Sequence, residues 1–220
     1  MRARTRILDA AMAVFRRHGF RRSSIEQAAA AAGLTRQALY HHFESKEALF
    51  RAVIEQLHEN ALAAELAAAN ATDKAGGSLA DILVAEVTAR LRQLIASFDG
   101  SPHIEELFSE HLVQARDLYQ KHAGLYGEQL VTTIERVCRK QRLVLAENMT
   151  ARGLARCIEM AISGTKSVHP AMQPADAFLK DLEIMLRTLV AGAAGLSPKP
   201  HPAKPATAKK SRLTKPGDRK

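Results

Sequence analysis

Aromatic residues, cysteines and long apolar runs are all scarce in this chain. Its 220 residues include no Trp, three Tyr and two Cys, and aromatics make up 5%. Two cysteines without a CxxC spacing exclude a disulfide-rich scaffold and favour buried thiols in a reducing compartment. No apolar run approaches the roughly 18 residues of a membrane span, and charges interrupt the first helix pattern where a secretory signal needs an apolar core. We therefore expect a cytoplasmic protein without a membrane partner.

Recognisable catalytic patterns are also missing from the sequence. It contains no nucleophile–base pairing, no Gly-rich phosphate loop and no metal triad, so we expect neither an enzyme nor a cofactor. A metal site could be built only from the scattered residues His103, His111, His122 and His169, which form no HxxxH pair. Cys138 and Cys157 could sense oxidants, although only nearby arginines would stabilise a thiolate there.

Helix-forming residues, by contrast, are abundant. Ala, Leu, Glu, Arg and Gln dominate a chain that is 46% hydrophobic, and all five have high helix propensity. Apolar side chains recur at helical spacing along most of the chain, which predicts an all-α fold. The last predicted helix, 175–194, is apolar over more than half of its circumference. It must bury two faces, one against its own core and one against a second subunit.

The positive charge of the chain lies at its two ends. Of the net +9, residues 1–60 contribute +4, residues 61–195 contribute −2 and residues 196–220 contribute +7. Basic ends suggest a polyanionic partner, and they favour a nucleic acid over a membrane surface. Residues 196–220 are rich in Pro, Lys and Ala and are predicted to be disordered. Their lysines could add sequence-independent DNA affinity through counterion release, or the tail could simply be a solubilising appendage.

The N-terminal fifty residues contain the helix caps and the glycine turn that are typical of a helix-turn-helix. A first helix is predicted over about 5–18, and a short second helix ends at a glycine turn before a third helix at about 36–43. A long fourth helix is predicted to run to about residue 70. The residues that cap or stop these helices are Ser23 or Ser24, Gly33, Thr35 and Ser45. Further helices are predicted over about 79–98, 103–122, 125–143, 150–164 and 175–194.

Four segments combine into a specific pattern: ILDAAMAVF at 7–15, AAGLT at 31–35, ALYHHF at 38–43 and SKEAL at 45–49. In this order and spacing they resemble the DNA-binding domain of the tetracycline-repressor (TetR/AcrR) family. The resemblance implies a DNA-binding domain in residues 1–50 and a larger helical domain for ligand binding and dimerisation in residues 51–195. It also implies a repressor that a small-molecule inducer releases from a palindromic operator, with the last two helices forming a homodimer.

The third helix of such a domain enters the major groove, which makes its first residues candidates for base contacts. Arg36 can bind guanine and Gln37 can bind adenine, each with two hydrogen bonds. A small residue is common in the family at the position of Gln37, so this departure bears on base readout. His41 could contact either DNA or solvent, and His42 could be structural. The resemblance places the remaining backbone-contacting candidates at Ser24, Thr35, Tyr40, His42 and Lys46.

The second domain offers candidate ligand contacts but names no ligand. Most of the candidates could equally be ordinary core or surface. They are Phe98, His103, Phe108, His111, Leu112, Tyr119, His122, Tyr126 and His169. The alternative function is a nucleoid-associated architectural protein that relies on its basic tail, and activation instead of repression also remains open.

Overall fold

The computed structural model describes residues 2–196, and within that range the chain is almost entirely helical, which confirms the all-α prediction. The helices are α1 Arg2–Arg22, α2 Ile25–Ala31, α3 Arg36–Tyr40, α4 Lys46–Lys74, α5 Leu79–Phe98, α6 Ile104–Gln114, α7 Arg116–Gln141, α8 Ala151–Val168 and α9 Ala175–Ala193. A 3-10 turn at Pro170–Met172 lies between α8 and α9. Two short strands, β1 Leu143–Leu145 and β2 Ala194–Leu196, pair antiparallel.

An aromatic cluster organises the N-terminal core. The ring of Phe50 lies 5.2 Å from that of Phe15 and 4.7 Å from that of Phe20. Edge-on and tilted pairs of this kind add to the stability that burial alone provides. Gly19 breaks the helical path of α1 at a φ of +76°, which a glycine adopts without steric cost. Phe20 thereby reaches back into the core that α1–α4 enclose.

The larger core lies between α4, α5, α7, α8 and α9. The central helix α5 buries one side against α4 and another against α9, so its apolar residues Ile82, Leu83 and Val87 are fully enclosed. α4 spans both cores as a continuous helix of 29 residues. This continuity links the two cores, because α4 begins shortly after α3 and its residue Ala69 lies in the second core.

The structure corrects the predicted division of the region after α5. One helix over 103–122 and another over 125–143 were predicted, but the break lies at Ala115, where φ is −137° and ψ is 33°. α7 then continues through Gly124 without interruption. α3 is also shorter than predicted, ending at Tyr40 and not at Phe43. The pairing of β1 with β2 was not predicted.

Two sequence predictions concern membrane and tail. None of the helices among residues 2–196 is long and apolar enough to cross a membrane. The predicted disordered tail begins at Leu196, and its residues 197–220 lie outside the described part of the chain.

Candidate nucleic-acid interface and ligand cavity

Ser24 fixes the start of α2. Its side chain accepts a hydrogen bond from the Gln27 backbone N–H at 3.3 Å, and the Gln27 side-chain oxygen accepts from the Ser24 N–H at 2.9 Å. This reciprocal pair is a capping box, which satisfies two backbone donors at the helix start. Of the two predicted caps, Ser24 is therefore the one used. Ser23 is buried and donates its hydroxyl to the Gly19 carbonyl instead.

The turn between α2 and α3 closes on Gly33. The Gly33 N–H donates to the Ala30 carbonyl at 3.1 Å, and the Leu34 N–H donates to the Ala29 carbonyl at 2.9 Å. Together these bonds form a Schellman motif, which places Gly33 in the left-handed region at a φ of +68°. The turn directs the chain into Thr35, whose hydroxyl accepts from the Ala38 N–H at 3.1 Å and starts α3.

α3 is anchored by one residue and displays the others. Leu39 is fully buried in the N-terminal core, whereas Arg36, Gln37 and Tyr40 are exposed. The Arg36 guanidinium is 2.9 Å from a carboxylate oxygen of Glu26 and lies 5.4 Å from the centre of the Tyr40 ring. An exposed ion pair of this kind contributes little to stability. Arg36 can therefore exchange Glu26 for another partner at low cost.

Lys46 has a different local role from the other candidates. Its ammonium donates to the carbonyl oxygens of Phe20 at 3.0 Å and Ser23 at 3.2 Å, and it lies 4.4 Å from the centre of the Phe20 ring. Lys46 thus satisfies the carbonyls at the end of α1. A phosphate contact at this position would have to be shared with them.

Two adjoining chambers open inside the second core. A polar chamber of about 190 Å³ lies between α4, α5, α7 and α8, with Arg90 and Lys166 in its wall. An apolar chamber of about 250 Å³ lies towards α6, between Phe98, Phe108 and Met172. Residues common to both walls are His58, Leu94, Tyr119 and Lys166. We treat them as one cavity with a polar and an apolar end.

Buried imidazoles form part of the cavity wall. The Tyr126 hydroxyl donates to the His58 carbonyl at 3.2 Å, so it can accept from Nδ1 of His58 at 3.0 Å. Nε2 of His58 then accepts from Nε2 of His111 at 3.0 Å. Burial lowers the pKa of His58 to about 3 and that of His111 to about 4, so both rings are neutral at pH 7. The His122 ring stacks on His58, with centroids 4.6 Å apart.

A buried pair of glutamates lies beyond the polar end of the cavity. Glu65 on α4 and Glu86 on α5 are both fully buried. The nearest cation to Glu65 is Arg90, at 3.9 Å, and Glu86 accepts from the Thr133 hydroxyl at 3.1 Å. Burial raises the pKa of Glu65 to about 8 and that of Glu86 to about 7. One proton shared by the pair provides the donor that the otherwise unpartnered carboxyl oxygens require.

Several polar contacts join α1 and α4 to the cavity wall. On α6, Glu110 accepts from the side chain of Arg21 at 2.9 Å, while Glu106 accepts from the Arg21 backbone N–H at 2.8 Å. On α4, Arg51 holds Asp117 of α7 with two bonds of 2.7 Å. These contacts flank His111, so the cavity and the N-terminal helices share α6 as a common neighbour.

Comparison with known proteins points to a single family for the N-terminal domain. Residues 7–53 match the model of the bacterial regulatory proteins, tetR family. The HTH-type transcriptional regulator UidR of Escherichia coli K12 is 47% identical over 60 residues, 27% of this chain and 31% of UidR. TtgR of Pseudomonas putida, also a transcriptional regulator, is 39% identical over 56 residues, 26% of this chain and 27% of TtgR.

The chain carries a tetR-family domain at its N-terminus. It spans about a third of the length of the curated relatives that it matches. Beyond the first domain the likeness is one of fold. SmeT, the repressor of the Stenotrophomonas maltophilia multidrug efflux pump SmeDEF, aligns with a TM-score of 0.60 at 22% identity, over 87% of this chain and 90% of SmeT.

In this tetR-family domain, several of the predicted DNA contacts lie at the starts of α2 and α3 and in the turn after α3. Ser24 and Thr35 cap α2 and α3, and both imidazoles of His41 and His42 are exposed just after α3. Their DNA contacts stay predictions, as does the boundary at residue 50, which falls within the continuous helix α4.

Seven of the nine predicted ligand contacts lie in or beside the cavity. Two do not. His103 directly precedes α6 and lies 3.8 Å from Glu106, while His169 is 2.8 Å from Asp181 on α9. The seven are Phe98, Phe108, His111, Leu112, Tyr119, His122 and Tyr126. Ligand contact by any of them stays a prediction.

The sequence analysis missed the charged part of the cavity. The sequence analysis named none of four residues that lie in otherwise ordinary helix patterns: His58, Glu65, Arg90 and Lys166. The one available signal is spacing. His58 falls one residue after Leu57 and Glu65 falls on the stripe that contains Ala61 and Ala69, which are buried core positions of α4.

Proposed function

We propose that this tetR-family protein is a sequence-specific DNA-binding transcriptional regulator. The observation that carries the proposal is α3, which buries Leu39 and leaves Arg36 and Gln37 exposed within the domain that matches the family. An exposed helix that follows a tight turn can lie in the major groove with its first residues at the base edges. The named relatives UidR and TtgR are transcriptional regulators, so we propose no catalytic activity.

Repression that a small-molecule effector relieves is the proposed mode of control. SmeT is a repressor, and its fold likeness covers the cavity-bearing domain as well as the helix-turn-helix. An effector that binds better to one arrangement of α6 shifts the protein towards that arrangement. Because Arg21 on α1 is bonded to Glu110 on α6, such a shift moves the DNA-binding helices. His58, which is hydrogen-bonded to His111 of α6, lies on α4, the helix that follows α3.

A homodimer through α8 and α9 completes the proposal. Large apolar side chains are exposed on both helices: Met160 is 57% and Val168 72% exposed on α8, and Ile184 is 56% and Met185 41% exposed on α9. A second copy that covers this face would bring two recognition helices to one palindromic operator. The amphipathic pattern that predicted two buried faces for the last helix agrees with this arrangement.

The architectural alternative rests on the basic tail. Its lysines lie at residues 199–220, outside the described residues, and none of the named relatives is described as an architectural protein. We therefore propose site-specific binding, with the tail in an auxiliary role.

The test is selection of bound fragments from random DNA at about 0.15 M salt, where phosphate contacts alone give weak binding. It is run with the full chain and with a chain that ends at Leu196. Both proteins are expected to recover the same inverted repeat, because α3 is intact in both. Recovery of no common sequence would refute site-specific regulation, and loss of the repeat in the shortened chain would assign it to the tail.

A further inference from the structure

We propose that the cavity binds an anionic amphiphile, a monocarboxylate with an apolar chain or ring. Its carboxylate would lie between Lys166 and Arg90, and its apolar body between Phe98, Phe108 and Met172. This inference rests on the effector role proposed above and names the chemical class of the effector.

The polar end of the cavity holds two cations with incomplete partners. Lys166 lines both chambers, and among the described residues it makes neither a hydrogen bond nor an ion pair. Arg90 has its guanidinium over the Tyr126 ring at 4.2 Å, and within residues 2–196 its one carboxylate partner is Glu65, at 3.9 Å. A buried cation without a full counter-charge is costly. An anion placed between the two side chains would remove that cost.

The carboxylates near the cavity do not neutralise both cations. Glu65 keeps its proton, because burial raises its pKa to about 8, and Glu86 is its partner in sharing that proton. Glu159 on α8 lines the polar chamber but is exposed and forms no ion pair with Lys166 in the described structure. With one shared proton the glutamate pair keeps a single negative charge against the two cations, so the buried polar end of the cavity carries one excess positive charge at pH 7.

The imidazoles on α4 and α6 respond to this positive charge. Burial is the main cause of the low pKa of His58 and of His111, and the charge of Lys166 lowers both further. The Lys166 ammonium is therefore close enough to both rings to affect their protonation. As neutral rings they add no charge of their own.

The other end of the cavity is suited to a hydrocarbon. Leu57, Leu94 and Leu112 complete its wall with the two phenylalanines and Met172, and Ser109 adds a polar atom. Apolar surface transferred from water to such a wall stabilises a complex in proportion to its area. A charge at one end and an apolar wall at the other is the pattern that an amphiphile with a single anionic head fits.

The first experiment is calorimetric titration of the full chain with octanoate, 1-octanol and octylamine at pH 7. Octanoate is expected to bind about 10- to 150-fold more tightly than 1-octanol, the range for a hydrogen bond to a charged group. Octylamine is expected to bind least. From hexanoate to decanoate, each methylene should improve affinity about fourfold. Equal binding of octanoate and 1-octanol, or no binding of octanoate, overturns the inference.

The second experiment replaces the proposed counter-ion. Lys166→Met should lower octanoate affinity to the level of 1-octanol while leaving 1-octanol unchanged, and Lys166→Gln provides a second variant if the first folds poorly. Lys180→Met, which removes an exposed charge from α9, is the matched control and should change neither. Octanoate affinity unaltered by either Lys166 variant contradicts the assignment.

The pH dependence gives a further readout. Burial, and to a smaller extent Arg90, lowers the pKa of Lys166 to about 8. Octanoate is ionised from about pH 5 upwards, since ordinary carboxyl groups titrate near 4. Its affinity should therefore fall as the pH rises through about 8, because Lys166 loses its proton while Glu65 and Glu86 gain negative charge. In the Lys166→Met variant, where only the two glutamates titrate, the fall should be smaller.

Binding of the selected operator by the ligand-free protein separates the two claims. If operator binding is specific but octanoate does not bind, the effector class is wrong and the regulator proposal stands. If octanoate binds but no specific operator is recovered, the regulator proposal fails and the cavity assignment stands.

Discussion

Arg36→Ala and Gln37→Ala are each expected to weaken binding to the selected operator by on the order of 10-fold per half-site, and by on the order of 100-fold for a dimer. Both side chains are exposed on α3 and neither contributes to the core, so the folded state should be unchanged. Fluorescence anisotropy with the selected operator and with scrambled DNA at about 0.15 M salt measures the effect, under conditions where non-specific binding is weak.

Comparison of the two DNAs distinguishes a base contact from a phosphate contact. Loss of a base contact weakens the selected operator and leaves scrambled DNA unchanged, whereas loss of a phosphate contact weakens both alike. Arg92→Ala removes an exposed arginine from α5, outside the helix-turn-helix, and should alter neither. Equal losses on both DNAs for Arg36→Ala would show that α3 does not read bases through that residue.

Glu65→Gln is expected to abolish most of the loss of stability that the wild-type protein shows between pH 6.5 and 8. In the folded protein burial raises the pKa of Glu65 to about 8, from an ordinary value of 4.5. Over this window the folded state holds a proton that the unfolded state has released, so stability falls as pH rises. The expected slope is about 1.4 kcal/mol per pH unit, or about 2 kcal/mol over the window.

Apart from Glu86, the partner in the shared proton, whose pKa burial raises to about 7, the other titrating groups act outside that window. The pKa values of His58 and His111, at about 3 and 4, affect stability below their ordinary value of 6.5, and Lys166 acts above about 8. Urea unfolding at fixed protein concentration measures the slope, since dimer formation links stability to concentration. Glu59→Gln, an exposed glutamate on the same helix, should keep the wild-type slope. An unchanged slope in Glu65→Gln would show that Glu65 is ionised when buried.

The helix-turn-helix could be predicted in detail because its signals are local. Capping by Ser24 and Thr35 and the reversal at Gly33 each depend on a few consecutive residues and their own backbone. The predicted end of α3 was wrong because Phe43, an apolar residue in helical register, is buried by the turn after Tyr40 and not by a continued helix. Apolar spacing does not distinguish these two cases.

The break at Ala115 has no local signal of this kind. Alanine is the best helix former, and Gly124, nine residues further on, is the conventional candidate for an interruption. Contacts distant in sequence compensate for the break: Arg51 on α4 donates to the Gln114 carbonyl at 2.7 Å and holds Asp117 just beyond it. Such contacts can be known only once the helices are packed.

The polar end of the cavity could not be predicted for a similar reason. Glu65, Arg90 and Lys166 come from three helices and are charged residues of a type that is mostly exposed. Their burial follows from the packing of α4, α5 and α8, which sequence periodicity does not fix. The apolar end could be predicted in part, because Phe98 and Phe108 were among the candidate ligand contacts.

The measurement that tests the account most directly is a hydroxyl-radical footprint of the protein on its selected operator. A dimer that reads DNA through two copies of α3 predicts two protected half-sites on one face of the duplex, roughly one helical turn or a multiple of it apart. In the Arg36→Ala Gln37→Ala double variant this pattern should disappear at the same protein concentration. Continuous protection without half-sites, unchanged in the double variant, would contradict the account.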